Sequence, residues 1–256
     1  MSQNLSEEVA NYEYYLERRN KKKERKTRKP QQSGLVLQEV EPLTYTQSQV
    51  FESYNLGNNL VLKGCAGTGK TFLSTYLGVR DVLEKTDGKR EVIIVRSVVP
   101  VRDMGFLPGN MTEKTKVYET PYRELVSDMF GRGDAYETLK SKGCIHFETT
   151  SFIRGQTWDN AIIIVDEAQN LSFQELHSVI TRVGENSRII LSGDTKQDDL
   201  TSERFREESG LSAFLNILTR MESFDIIDFT TDDIVRSGLV REYIEVCESL
   251  NTNNLN

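Results

Sequence analysis

The chain has 256 residues, 37% of them hydrophobic and 28% charged, with a formal net charge of -7. It is apolar enough to build a sizeable core and too evenly charged for general disorder. It contains no apolar run of the roughly 20 residues that cross a bilayer and no apolar leader behind Met1-Ser2-Gln3-Asn4. Cys65, Cys144 and Cys247 lie far apart, and His146 and His177 are the two histidines, so a disulfide framework, a zinc cluster and a histidine-rich metal site are excluded and a reducing cytoplasm is the expected location.

In chain order, Ser6 followed by Glu7 and Glu8 reads as a helix start, a hydroxyl cap with acids at the positive end of the dipole. Val9, Tyr12 and Leu16 then share one face. Residues 18–29 hold nine Lys or Arg, a block that no core accommodates. It is either a solvated tail or a contact for a polyanion such as nucleic acid. Residues 1–33 are therefore read as a basic helical or disordered appendage, and 34–256 as a single domain.

Within the domain, apolar runs at 60–63, 91–96, 144–149, 161–165, 188–191 and 224–229 predict six strands. Several are continuous rather than alternating, as parallel strands buried on both faces require. Helical stretches at 72–84, 120–130, 173–183, 211–221 and 240–250 lie between or after them. The series predicts an α/β fold, a mostly parallel sheet with helices on both faces. The stripe Tyr118, Tyr122 and Met129 reads as core or subunit contact.

Three strand ends carry chemistry. Gly64, Cys65, Ala66, Gly67, Thr68, Gly69, Lys70 and Thr71 fit G-x-x-x-x-G-K-[ST], between a predicted strand and a helix that opens at Phe72. Glycines let backbone N–H groups curl around phosphate oxygens, and the helix N-terminus adds positive character. Lys70 is expected on the β and γ phosphates and the Thr71 hydroxyl on Mg²⁺. The run Ala161 to Val165 ends in Asp166 and Glu167. Ligands bind at the carboxyl ends of such strands, so Asp166 is expected on the metal side and Glu167 beside the attacking water. The third end reads Gly193-Asp194-Thr195-Lys196-Gln197, where Gln197 is a candidate sensor of the γ-phosphate.

Together these motifs resemble the N-terminal RecA-like domain of superfamily 1 helicases. With Gly105-Phe106-Leu107-Pro108-Gly109, Arg154-Gly155-Gln156-Thr157 and Asp166-Glu167-Ala168-Gln169-Asn170, the chain resembles the PhoH family over about 43–250. Arg96-Ser97 with Arg102-Asp103-Met104 resembles that family's bacteriophage branch, which would place the protein in a host cytoplasm. The resemblance implies a RecA-like P-loop ATPase using ATP and Mg²⁺, RNA or single-stranded nucleic acid as partner, and a homo-oligomeric, hexameric ring. It also implies an association with a nuclease, since some relatives carry or neighbour a ribonuclease domain. Gln47, in Thr44-Tyr45-Thr46-Gln47, resembles the glutamine that reads adenine. Arg236, in Asp233-Ile234-Val235-Arg236, resembles the family's closing arginine, expected at the domain edge and acting either within its own fold or, in a head-to-tail ring, against the next subunit's phosphate loop. Phe106, Lys114 and Arg154 are the candidate nucleic-acid contacts. An ATP-dependent adaptor that recruits a nuclease is the alternative function, and a kinase for a small acceptor is a third, opposed by the paired Asp166-Glu167 and Gly193–Gln197 motifs.

Overall fold

The computed structural model describes residues 34–97, 111–194 and 210–253. The basic appendage, Phe106 and Gln197 lie outside the described residues, as does the side chain of Lys114. The elements run α1 (Tyr45–Asn55), β1 (Asn59–Gly64), α2 (Lys70–Glu84), β2 (Glu91–Arg96), α3 (Met111–Phe130), α4 (Ala135–Ser141) and β3 (Ile145–Thr149). They continue β4 (Ala161–Val165), α5 (Phe173–Ile180), β5 (Arg188–Gly193), α6 (Gly210–Leu218), β6 (Phe224–Phe229) and α7 (Gly238–Asn253).

All six predicted strands are present, and every pairing is parallel, in the order β3-β2-β4-β5-β1-β6. Strand β5 thus separates β1, which feeds the phosphate loop, from β4, which ends in the acids. The expected RecA-like α/β arrangement follows. Alternate side chains of the same strands serve two cores. Leu60, Leu62, Ile94, Ile162, Ile164 and Ile190 pack with Leu73 and Leu77 of α2 and with α1, α3 and α4. Val61, Ile93, Val95, Ile163, Val165 and Leu191 pack with Leu176 and Val179 of α5 and with Leu211, Phe214 and Leu218 of α6. Burial on both faces explains why these strands read as unbroken Ile and Val.

The helices differ more from expectation. Helix α1 escapes the apolar pattern because its buried face includes Gln47, Ser48 and Ser53 beside Val50 and Tyr54. Helix α3 starts before the predicted position, at Met111, and runs through Pro121. A proline there resembles a first-turn residue, yet the helix continues, with Thr120 Oγ1 donating to Lys116 O at 2.8 Å beside the missing N–H. Helix α5 begins at a capping box, where Ser172 Oγ accepts from Glu175 N and the Glu175 carboxylate accepts from Ser172 N at 2.9 Å.

Candidate functional site

The site lies where β1, β4 and β5 end together. At Gly64 the chain turns with φ of 134°, and a Cβ there would stand 2.0 Å from Phe229 O of neighbouring β6. No side chain fits that approach. Gly67 (φ 81°) and Gly69 (φ 88°) complete the loop, Gly69 as the residue before α2. The loop is therefore glycine-rich because of a backbone wall and left-handed turns, as phosphate cradles require.

Lys70 folds over this loop. Its Nζ donates to Gly64 O at 2.7 Å and Cys65 O at 2.6 Å. Burial pulls its ammonium below the ordinary lysine range, opposed by the nearby Asp194, Glu167 and Asp166. Thr71, one residue on, donates from Oγ1 to Asp166 Oδ1 at 2.9 Å, joining the first turn of α2 to the end of β4. Asp166 is buried, and its backbone N–H donates to Val95 O at 3.1 Å. Its second oxygen, Oδ2, accepts from the Tyr122 hydroxyl of α3 at 2.6 Å. Burial, and then the Asp166 charge, push that phenol well above its usual range, so it remains a proton donor.

Glu167 adopts a left-handed backbone (φ 52°). A non-glycine residue in that region is uncommon and held by its surroundings. Here Gln169 supplies the hold: its Nε2 donates to Glu167 Oε2 at 2.6 Å, while its Oε1 accepts from Asp194 N at 3.0 Å. One amide thereby ties the acid after β4 to the turn after β5. Ser192 Oγ is buried there without a hydrogen-bond partner among the described residues. These groups line a cleft of about 310 Å³ with the loop, Lys70, Thr71 and Leu125.

Gln47 reaches the loop from α1 and is buried. Its Oε1 accepts from Leu43 N at 2.8 Å and its Nε2 donates to Thr68 O at 3.0 Å. These two bonds use one N–H and one lone pair of the amide and tie α1 to the loop. Arg236 lies beside the same loop. Val235 N donates to Gly67 O at 3.0 Å, and a Cβ on Gly67 would meet Arg236 Cγ at 3.0 Å. The segment after β6 is clipped onto its own chain's loop, and Arg236 lines the same cleft. Arg154 is exposed on the loop after β3 and takes no part in lining the cleft. Sequence reading missed Tyr122, taken only as part of an apolar stripe, and the bridging role of Gln169.

The donor set fits Mg²⁺. The Thr71 hydroxyl and the Asp166 carboxylate, both hard oxygen ligands, face the cleft beside Glu167, Ser192 and Asp194, and among the described residues no group of three or more His, Cys, Asp or Glu forms a metal cage. Mg²⁺ is commonly held in this way, by one or two protein oxygens with phosphate and water completing the shell.

The profile of the family described as "PhoH-like protein" matches residues 39–248. The "PhoH-like protein" of Bacillus subtilis (strain 168) is 34% identical over 196 residues, 76% of this chain and 60% of that one. The "PhoH-like protein" of Synechocystis sp. is 32% identical over 210 residues, 82% of this chain and 62% of that one. "Protein PhoH" of Escherichia coli (strain K12) is 33% identical over 178 residues, 69% of this chain and 49% of that one. The chain thus spans about half to three fifths of the length of these relatives. Among solved structures, the large terminase from a thermophilic bacteriophage, in complex with ADP, aligns with 78% of this chain and 49% of its own, at 13% identity and a TM-score of 0.47. The family profile covers nearly the whole α/β domain, including the loop, both strand-end acids and Arg236, and the chain belongs to the PhoH-like family.

Proposed function

We propose that this protein is a Mg²⁺-dependent ATPase that couples hydrolysis to binding or remodelling RNA or single-stranded nucleic acid. The observation that carries the reading is the 2.9 Å bond from Thr71 Oγ1 to Asp166 Oδ1, with Lys70 and Glu167 on the same cleft. Loop N–H groups and Lys70 hold the phosphates. Thr71 and Asp166 would hold Mg²⁺, which supplies charge neutralisation on the phosphates when bound. Glu167 orients and polarises the attacking water. Gln197 senses the γ-phosphate, and Arg236 neutralises charge that develops on it. Gln47 reads adenine while bracing the loop.

The nucleic-acid part rests on Phe106, Lys114, exposed Arg154 and the basic run 18–29, an electrostatic and stacking set. Assembly into a ring is supported by α7, whose Leu239 and Tyr243 are 77% and 69% exposed. Membership of the bacteriophage branch, residence in a host cytoplasm and a nuclease partner belong to the same reading.

Phosphate release from ATP is the test, with and without Mg²⁺, RNA or single-stranded DNA. Wild type releases phosphate with Mg²⁺ and does so faster with nucleic acid. Glu167→Gln binds ATP but turns over about 10²-fold more slowly, the scale for a lost general base. Full activity in that variant, or a wild type that releases no phosphate, overturns the assignment.

A further inference from the structure

Asp166 is held from two sides, and only one of them belongs to the nucleotide motifs. Oδ1 accepts from Thr71 of the phosphate loop, and Oδ2 accepts from Tyr122 at 2.6 Å. Tyr122 comes from the middle of α3, a helix that packs Val126 and Met129 into the core and, one turn earlier, buries Glu119 against Tyr136 and Lys140 of α4. Its ring is 1% exposed, lies 5.6 Å from the Phe147 ring of β3, and is followed on the helix by buried Val126 and Met129. Packing alone asks for a phenylalanine at this position. The hydroxyl is the part that packing does not explain, and its hydrogen bond is made to the metal-side acid.

The consequence is an orientation. A threonine hydroxyl has one proton and two lone pairs. When that proton goes to Asp166 Oδ1, both lone pairs of Thr71 Oγ1 are free for the cleft. The Tyr122 hydroxyl, bonded to the opposite oxygen, restrains the plane in which Oδ1 accepts from Thr71. The bond takes one acceptor site of Oδ2 and leaves Oδ1 as the oxygen that faces Thr71. Partners one step behind a metal ligand commonly set ligand geometry in this way.

We propose that Tyr122 is a positioning residue for the Mg²⁺-nucleotide site: its hydroxyl locks the Asp166 carboxylate so that the Thr71 hydroxyl donates to it and turns its lone pairs toward the metal. This inference rests on the ATPase reading and adds to it a residue outside all the nucleotide motifs. Tyr122 is not among the residues that line the cleft, so its effect appears in the metal requirement rather than in nucleotide contacts.

The test is binding of a fluorescent ATP analogue, titrated with Mg²⁺ and repeated in EDTA, with the unfolding midpoint as a control. In Tyr122→Phe, the Mg²⁺ concentration at half-maximal binding rises about tenfold or more, the scale for losing such a partner, while the metal-free affinity stays at wild type. A 4-aminophenylalanine at position 122, which restores an N–H donor at the ring tip, brings the Mg²⁺ midpoint back toward wild type and covers the case of a Phe variant that folds poorly. Phe147→Leu, which loosens the ring packing but keeps the hydroxyl, leaves the midpoint unchanged. In an Asp166→Asn background, Tyr122→Phe adds nothing. An unchanged Mg²⁺ midpoint in Tyr122→Phe overturns the inference and leaves the ATPase reading standing. An equal shift in Phe147→Leu also overturns it, because general loosening then accounts for the effect. A wild type that binds no nucleotide with Mg²⁺ removes both.

Discussion

Two polar clusters sit at opposite ends of the sheet, and three elements contribute to both, the upper one adding the end of β4 and Tyr122 of α3. Helix α1 carries Gln47 near its start and Tyr54 near its end. Helix α2 opens with Lys70 and Thr71 and carries Asp81 three turns later. Strand β5 begins at Arg188 and runs to Ser192 and Gly193. At the lower end, Asp81 is 1% exposed and Oδ2 accepts from the Tyr54 hydroxyl at 2.9 Å and from Arg188 at 2.5 Å. Arg188 also donates to Tyr54 O at 2.7 Å and stacks 4.0 Å from the Tyr54 ring centre. Burial, then the Asp81 charge, raise the Tyr54 phenol far above its ordinary range.

The cleft beside this lower cluster is the larger one, about 510 Å³ against about 310 Å³ at the phosphate loop. Volume therefore does not mark the site. The lower charges face each other directly, Asp81 between Arg188 at 2.5 Å and Arg80 at 3.4 Å, in a set that braces α1, α2 and β5. At the upper end Asp166 accepts from two hydroxyls and Lys70 donates to two backbone carbonyls, while Asp194, Glu167 and Asp166 act on Lys70 through their charge rather than by a hydrogen bond.

The comparison yields effects of decreasing size. Arg236→Ala removes the cation that faces the cleft from the segment after β6, and kcat falls about 10³-fold, on the order of 4 kcal/mol of barrier. Because Arg236 lies over its own loop, mixing this variant with Lys70→Ala restores nothing. Recovery that disappears on dilution would assign the arginine to a neighbouring subunit instead. Asp81→Ala leaves Arg188 buried without its partner and lowers stability by about 3 kcal/mol, read from urea unfolding. ATP turnover per folded molecule stays within about twofold of wild type; a large loss of kcat would make the lower cluster functional and erase the contrast. Gln47→Ala costs about 1 kcal/mol and raises the KM for ATP more than that for GTP. An equal rise for both nucleotides would confine Gln47 to bracing Thr68.

The strands and the phosphate loop were legible because their signals are local. Continuous apolar residues in 161–165 and 189–191 report burial on both faces, and the spacing of Gly64, Gly69, Lys70 and Thr71 reports a cradle. Helix α1 was illegible because polar residues occupy its inward face, held by Thr44 and by the loop rather than by apolar packing. Tyr122 was illegible in its role, since its partner lies 44 residues away and a buried tyrosine reads the same with or without a hydrogen bond. Arg236 was legible as an arginine after the last strand, yet its place over Gly67 depends on β6 pairing beside β1, which no local pattern encodes.

That pairing also sets the order in which the sheet can be completed. Of its six strands, β1 is the first to be synthesised, but its two neighbours are β5 and β6, the last two. Strands β2, β3 and β4 can pair among themselves while β1 still has no partner in the sheet. Contacts so distant in sequence form late and slowly. The wall that Phe229 presents to Gly64 exists only after residue 229 has been added. A product truncated before β6 carries every residue of the loop and the β5 side of its support, but not the backbone that closes on Gly64.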